Sequence, residues 1–131
     1  MKRLSGLACM LLLFVSSASG AQAGERDLIR QMQSGSAVLM IRHALAPGVG
    51  DPADLNLDDC STQRNLNQAG REQAKAIGHW LRSRGIGQVK LYSSQWCRCL
   101  ETARLMQMVT VTPLPALNYF FKRPEDLEPI L

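Results

Sequence analysis

The first apolar block of the chain runs from Leu7 to Val15, with Lys2 and Arg3 before it and small residues after it, down to Ala21-Gln22-Ala23. A charged start, an apolar middle and a small-residue exit in that order predict a secretory signal peptide over residues 1–23, cut after Ala23. The apolar stretch is shorter than the roughly 20 residues that a membrane-spanning helix needs, so no membrane association is expected after cleavage. Past the cut, Leu28, Ile29 and Met32 share one side of a short helix predicted over residues 25–33 and stopped by Ser34-Gly35. The unbroken apolar run Ala37-Val38-Leu39-Met40-Ile41 predicts a strand covered on both faces, as in a parallel sheet. Residues 44–66 then read as a long loop, with Pro47, Gly48, Gly50, Asp51 and Pro52 as its turn chemistry. Loops of such length are usually functional or disordered.

Asn67 is a suitable cap for the next helix, which places Ala69, Ala74, Ile77 and Leu81 at near-helical spacing before Gly85 ends it. Val89-Lys90-Leu91-Tyr92 predicts a second strand. Ser93-Ser94 offers a hydroxyl N-cap for a helix over about residues 95–108, with Leu100, Ala103 and Met106 inward. Val109 to Thr112 reads as a third short strand, closed by Pro113 and Pro115. Strands alternating with helices imply a parallel, helix-covered sheet. Ligands of such sheets bind beyond the carboxyl ends of the strands.

Charge and cysteine content narrow the picture. Loss of Lys2 and Arg3 leaves 13 basic against 11 acidic residues, a net of about +2, which argues against bulk nucleic-acid binding. Residues 24–131 are enough for one domain. Cys60, Cys97 and Cys99 remain after cleavage, and an oxidising compartment makes one disulfide plausible. Cys97 and Cys99 sit two apart on a predicted helix and face different ways, so Cys60 is expected to pair with one of them. Three cysteines with the distant His43 and His79 do not have metal-ligand spacing, and no metal is expected.

Two predicted strand ends gather the candidate chemistry. Arg42 and His43 follow the first; Ser93, Ser94, a helix N-terminus and Arg98 follow the second. Guanidinium forks hold phosphoryl oxygens through paired, charge-assisted hydrogen bonds, and free N–H groups at a helix start add partial positive charge. An imidazole between two arginines is disfavoured as a cation, so its nucleophilic neutral form is available near neutral pH. His43 is therefore the candidate nucleophile and Arg42 and Arg98 the candidate phosphate-binding pair. Taken singly, each of these residues has a blander role: a surface turn, a solvated charge or a cap.

Three stretches, VLMIRHA over residues 38–44, LNQAGREQAKA over 66–76 and LYSSQWCRCLETA over 91–103, resemble successive motifs of the histidine phosphatase superfamily, in the branch that includes phosphoglycerate mutases. The resemblance implies a three-layer α/β/α sandwich with a mainly parallel sheet. It also implies phosphoryl transfer from a small-molecule phosphomonoester to His43 and then to water, without metal or organic cofactor. Arg42 and Arg98 match the family's phosphate-holding pair, while Glu101, Thr102 and Ala103 match the structural remainder of the third motif.

Three departures from the family pattern are visible. Ala44 stands where the motif carries Gly, and Asn118 stands where many members place a glutamate general acid. Asp51, or one of Glu125, Asp126 and Glu128, is a possible substitute for that acid. The family's second histidine, on a later strand, has no counterpart before Leu131; His79, deep in a predicted helix, reads as a surface or packing residue. The fold is thus expected to be incomplete at its C-terminus and turnover weak. Two functions follow as expectations: a periplasmic or secreted phosphatase-type domain, and a non-catalytic domain that binds a phosphorylated ligand.

Overall fold

A computed structural model describes residues 19–118, with side chains from residue 24 on. The elements in order are helix α1 (Ser19–Gln33), a 3-10 turn (Cys60–Thr62), helix α2 (Gln68–Ser83), strand β1 (Leu91–Ser93), helix α3 (Cys97–Leu105), strand β2 (Val111–Pro113) and a second 3-10 turn (Pro115–Leu117). Strands β1 and β2 pair in parallel, Leu91 with Val111, Tyr92 with Thr112 and Ser93 with Pro113. Helix α3 crosses between them, as a parallel pair requires. Pro113, which has no N–H, takes the last rung, and Leu114 N–H donates to Ser93 O at 2.7 Å just beyond it.

Helix α2 begins and ends where its sequence directs. The Asn67 side chain accepts from Gly70 N–H at 2.8 Å, the N-cap geometry that satisfies an otherwise unpaired donor. At the other end Gly85 adopts φ 72°. Ile86 N–H donates to Leu81 O and Gly85 N–H to Arg82 O, and Ile86 packs with Leu81. This is a Schellman ending, and a residue without Cβ suits its left-handed position. The buried stripe of α2 is Gly70, Ala74, Gly78 and Leu81, small enough for close packing. A Cβ on Gly78 would stand 2.0 Å from Met106 O, where α3 ends.

Two apolar clusters result. Ala44, Ala46, Leu66 and Ala74 pack together with Leu105 against them. Leu81, Ile86 and Met106 form the other, covered by Ile29 and Met32 of α1 and by Ile77, Val89 and Met108. Helix α1 is fastened there by Gln33 Nε2, which donates to Arg84 O at 2.7 Å. Helix α1 runs without a break through residues 23 and 24, the junction at which the sequence predicts a cut.

Several expectations are corrected. The strand expected over residues 37–41 forms no ladder, and residues 38–41 are exposed, Val38 at 91 % and Met40 at 81 %. Apolar content marks a segment fit for a sheet interior, but a strand exists only with a hydrogen-bonding neighbour, and among the described residues this one has none. Ser93-Ser94 does not cap α3. Both serines are buried, Ser93 Oγ donates to Ser94 O, and α3 starts later, at Cys97, whose N–H donates to Gln63 Oε1 at 2.9 Å. The helix also stops before residue 108, because Gln107 turns to φ 52°.

Candidate active site

His43 lies half-buried where segment 37–42, which forms no helix or strand, leads into the long loop. Its Nδ1 is 2.7 Å from Ala44 O. A carbonyl only accepts, so Nδ1 carries the proton, and the neutral ring keeps its lone pair on Nε2. The imidazole pKa is lowered from 6.5, first by burial and then by the cations of Arg98, Arg64 and Arg42; the Ala44 carbonyl opposes the shift. The lowered pKa favours the neutral imidazole near neutral pH, with its free lone pair on Nε2.

Buried hydroxyl chemistry joins this turn to α3. Ala44 N–H donates to Thr102 Oγ1 at 3.0 Å, and that hydroxyl donates to Arg98 O at 2.7 Å. One side chain thus fixes the peptide after His43 against the backbone of Arg98. Ala44 is 2 % exposed and has no positive φ, so its methyl group fits without backbone strain. Helix α2 closes the other side. Leu45 N–H donates to Gln73 Oε1 at 2.9 Å, and a Cβ on Gly70 would sit 2.1 Å from Leu45 O. Arg71 Nε donates to Glu101 Oε1 at 2.6 Å, tying α2 to α3. Glu101 and Thr102 therefore have the structural roles expected of them.

A cleft of about 470 Å³ opens beside His43, with Arg42, Leu45, Arg64 and Gln73 among its walls. Arg42 is exposed there. Arg98 does not line this cleft. Its side chain is 9 % exposed, its Nη1 donates to Asp51 Oδ1 at 2.8 Å, and its guanidinium lies over the Trp96 ring, 4.6 Å from the centroid. The Arg98 Nε is buried and has no hydrogen-bond partner among the described residues. Its charge nonetheless reaches His43. The structure thus puts Arg42 and His43 on one cleft and Arg98 within electrostatic range of the imidazole.

Asp51, considered above as a proton donor, instead accepts from Arg98 and from Arg64 N–H, the latter at 3.0 Å. Asn118 is also engaged: its Oδ1 accepts from Gln95 N–H and its Nδ2 donates to Gln95 Oε1, both at 2.8 Å. Glu125, Asp126 and Glu128 lie outside the described residues. His79 is exposed on α2. The α3 N-terminus is no open anion cradle, since the Gln63 amide fills its first donor. Arg64 is the cleft residue that sequence reasoning missed. It is a lone cation in a loop, with no periodicity or cap pattern to mark it.

Cys60 and Cys97 form a disulfide across a separation of 37 residues, joining the end of the long loop to the first turn of α3. Cys99 is the free thiol among the described residues.

The model of the histidine phosphatase superfamily, branch 1, matches residues 38–119. A stretch of 42 residues is 48 % identical to a Saccharomyces cerevisiae protein named broad-specificity phosphatase YOR283W, covering 32 % of this chain and 18 % of that protein. No solved structure gives a significant match. The family match takes in the turn at Arg42-His43, the glycine-bearing start of α2 and the buried α3 segment from Arg98 to Ala103, and more than half of the chain in all; the chain belongs to the histidine phosphatase superfamily, branch 1.

Proposed function

We propose that this chain is an exported phosphatase-type domain that moves a phosphoryl group from a small-molecule phosphomonoester to His43 Nε2 and from there to water. The observation that carries this reading is the Nδ1 contact with Ala44 O, which leaves Nε2 unprotonated on a ring that feels the charges of Arg98, Arg64 and Arg42. Nε2 attacks phosphorus, the bond to the ester oxygen breaks, and that oxygen leaves with a proton from solvent water, because Asn118 has none to give. Water then attacks the phosphohistidine, phosphate departs, and the neutral imidazole is restored. Arg42 on the cleft and Arg98 beside it balance the charge on the transferred group. Membership of the family and the phosphatase similar to it support this chemistry.

Export is supported by the order of charge, apolar run and small residues over residues 1–23, with residues 24–131 as the mature domain. A Cys60–Cys97 disulfide suits a periplasmic or secreted location.

A second reading, a binder that keeps Arg42 and Arg98 for a phosphorylated ligand and has no turnover, is favoured by Asn118 at the general-acid position, where its side chain is engaged by Gln95. One experiment separates the two. The chain is mixed with an aryl phosphate, quenched in base and mapped by mass spectrometry. Phosphoryl transfer predicts an acid-labile adduct on His43 that disappears in His43→Ala. Phosphate affinity with no adduct would favour the binder and reject the transferase chemistry.

A further inference from the structure

Arg64, which no motif names, makes four hydrogen-bond contacts around the cleft. Its Nη1 donates to Ala46 O and its Nε donates to Gly50 O at 2.9 Å, so one planar fork grips both ends of the turn over residues 46–50. Its own N–H donates to Asp51 Oδ1 at 3.0 Å. Its carbonyl accepts a longer contact from Arg98 Nη1, 3.4 Å. Asp51 Oδ1, held in this way, receives Arg98 Nη1 at 2.8 Å. The preceding residue anchors the group: buried Gln63 donates to Asn56 O and Leu57 O and accepts from Cys97 N–H at the start of α3.

Three facts converge. Arg64 is in the wall of the cleft with His43; it fixes the loop that carries Asp51; and Asp51 is the counter-ion of Arg98, whose side chain is nine-tenths buried. A guanidinium is suited to this because its rigid fork spans two carbonyls at once, which a lysine ammonium on a flexible stem does poorly. We propose that Arg64 is a positioning residue of the phosphate site: it straps the loop over residues 46–51 so that Asp51 holds the Arg98 guanidinium in place beside His43. This deepens the phosphate-site reading above and rests on it for its purpose, but its structural content can be read without any ligand.

The test uses the full chain with Arg64→Ala, Arg64→Lys, Asp51→Asn and the Arg64→Ala/Asp51→Asn double variant. Nitrogen NMR of the Arg98 guanidinium reports whether its rotation is restricted, and titration with inorganic phosphate gives a Kd. Expected in the wild type is a rotationally restricted Arg98, released in Arg64→Ala and Asp51→Asn alike. Phosphate affinity should fall by about ten-fold or more in each, as when one charge-assisted hydrogen bond is misplaced, with no further fall in the double variant. Arg64→Lys keeps the charge but loses the two-carbonyl grip, so it should resemble Arg64→Ala. An Arg98 still restricted in Arg64→Ala, losses that multiply in the double variant, or full affinity in Arg64→Lys would each overturn the proposal. If Arg64→Ala does not fold, the Lys variant decides by the same criteria. An absent adduct on His43 together with a released Arg98 would reject phosphoryl transfer and leave the strap standing.

Discussion

Replacing Thr102 with Val isolates the tie between the His43 turn and α3. The two side chains have nearly the same shape, so no cavity opens, and only the hydroxyl is lost. Thr102 is 3 % exposed and Ala44 2 %, which keeps water from taking the hydroxyl's place. Ala44 N–H, 3.0 Å from Thr102 Oγ1, is left buried without an acceptor, at about 1–3 kcal/mol. The bond from Thr102 to Arg98 O is also lost, but a carbonyl has a second lone pair and its loss is the smaller one. Urea unfolding of Thr102→Val should therefore show a lower midpoint at unchanged slope, with a total loss near the middle of that range. Thr102→Ser keeps the hydroxyl and should retain most of the stability. Phosphate affinity should fall with stability in the Val variant, because the same hydroxyl sets the spacing between His43 and Arg98. A Val variant within about 0.5 kcal/mol of the wild type would refute the reasoning, as surface changes are that small.

The remaining predictions are independent of that one. Reducing the Cys60–Cys97 disulfide, or changing both cysteines to Ser, removes a constraint across 37 residues, a loss of up to about 4 kcal/mol on the chain-entropy account, read as a lower Tm. Gly70→Ala would put a methyl carbon 2.1 Å from Leu45 O; the clash should outweigh the helix-propensity gain of about 1 kcal/mol and lower the Tm, where simple propensity predicts a rise. His43 has a lowered pKa in the folded chain, so between that value and 6.5 the unfolded chain binds more protons and stability rises with pH. Its contribution is complete above 6.5 and is lost as pH falls through the lowered value. Adduct formation should follow the neutral imidazole, level at pH 7 and above and declining only below 6.5; a decline that begins above pH 7 would contradict the shift.

Local chemistry was legible in the sequence and distant chemistry was not. The cap at Asn67 and the stop at Gly85 were readable because each is made by residues a few positions apart. The pairing of Cys60 with a cysteine of α3 was readable from helix geometry, although the choice of Cys97 was not. The start of α3 was misplaced because its capping acceptor, Gln63 Oε1, comes from 34 residues upstream. Hydropathy over residues 37–41 reported suitability for a buried strand and could not report whether a neighbour pairs with it. His43, Arg42 and Arg98 were legible twice over, from the chemistry gathered at two predicted strand ends and from the motifs, but the turn of Arg98 toward Asp51 was not, because that contact spans 47 residues. Arg64 had no such marker. Its importance lies in four contacts to residues 46, 50, 51 and 98, none of them close in the chain.

The central claim is that Arg42, His43 and Arg98 serve one phosphoryl group. A crystal of the chain soaked with tungstate, a tetrahedral dianion, tests it most directly. The account predicts one anion in the cleft, within hydrogen-bonding distance of the guanidiniums of Arg42 and Arg98 and facing His43 Nε2. An anion bound by Arg42 alone, or an empty cleft at saturating tungstate, would contradict it.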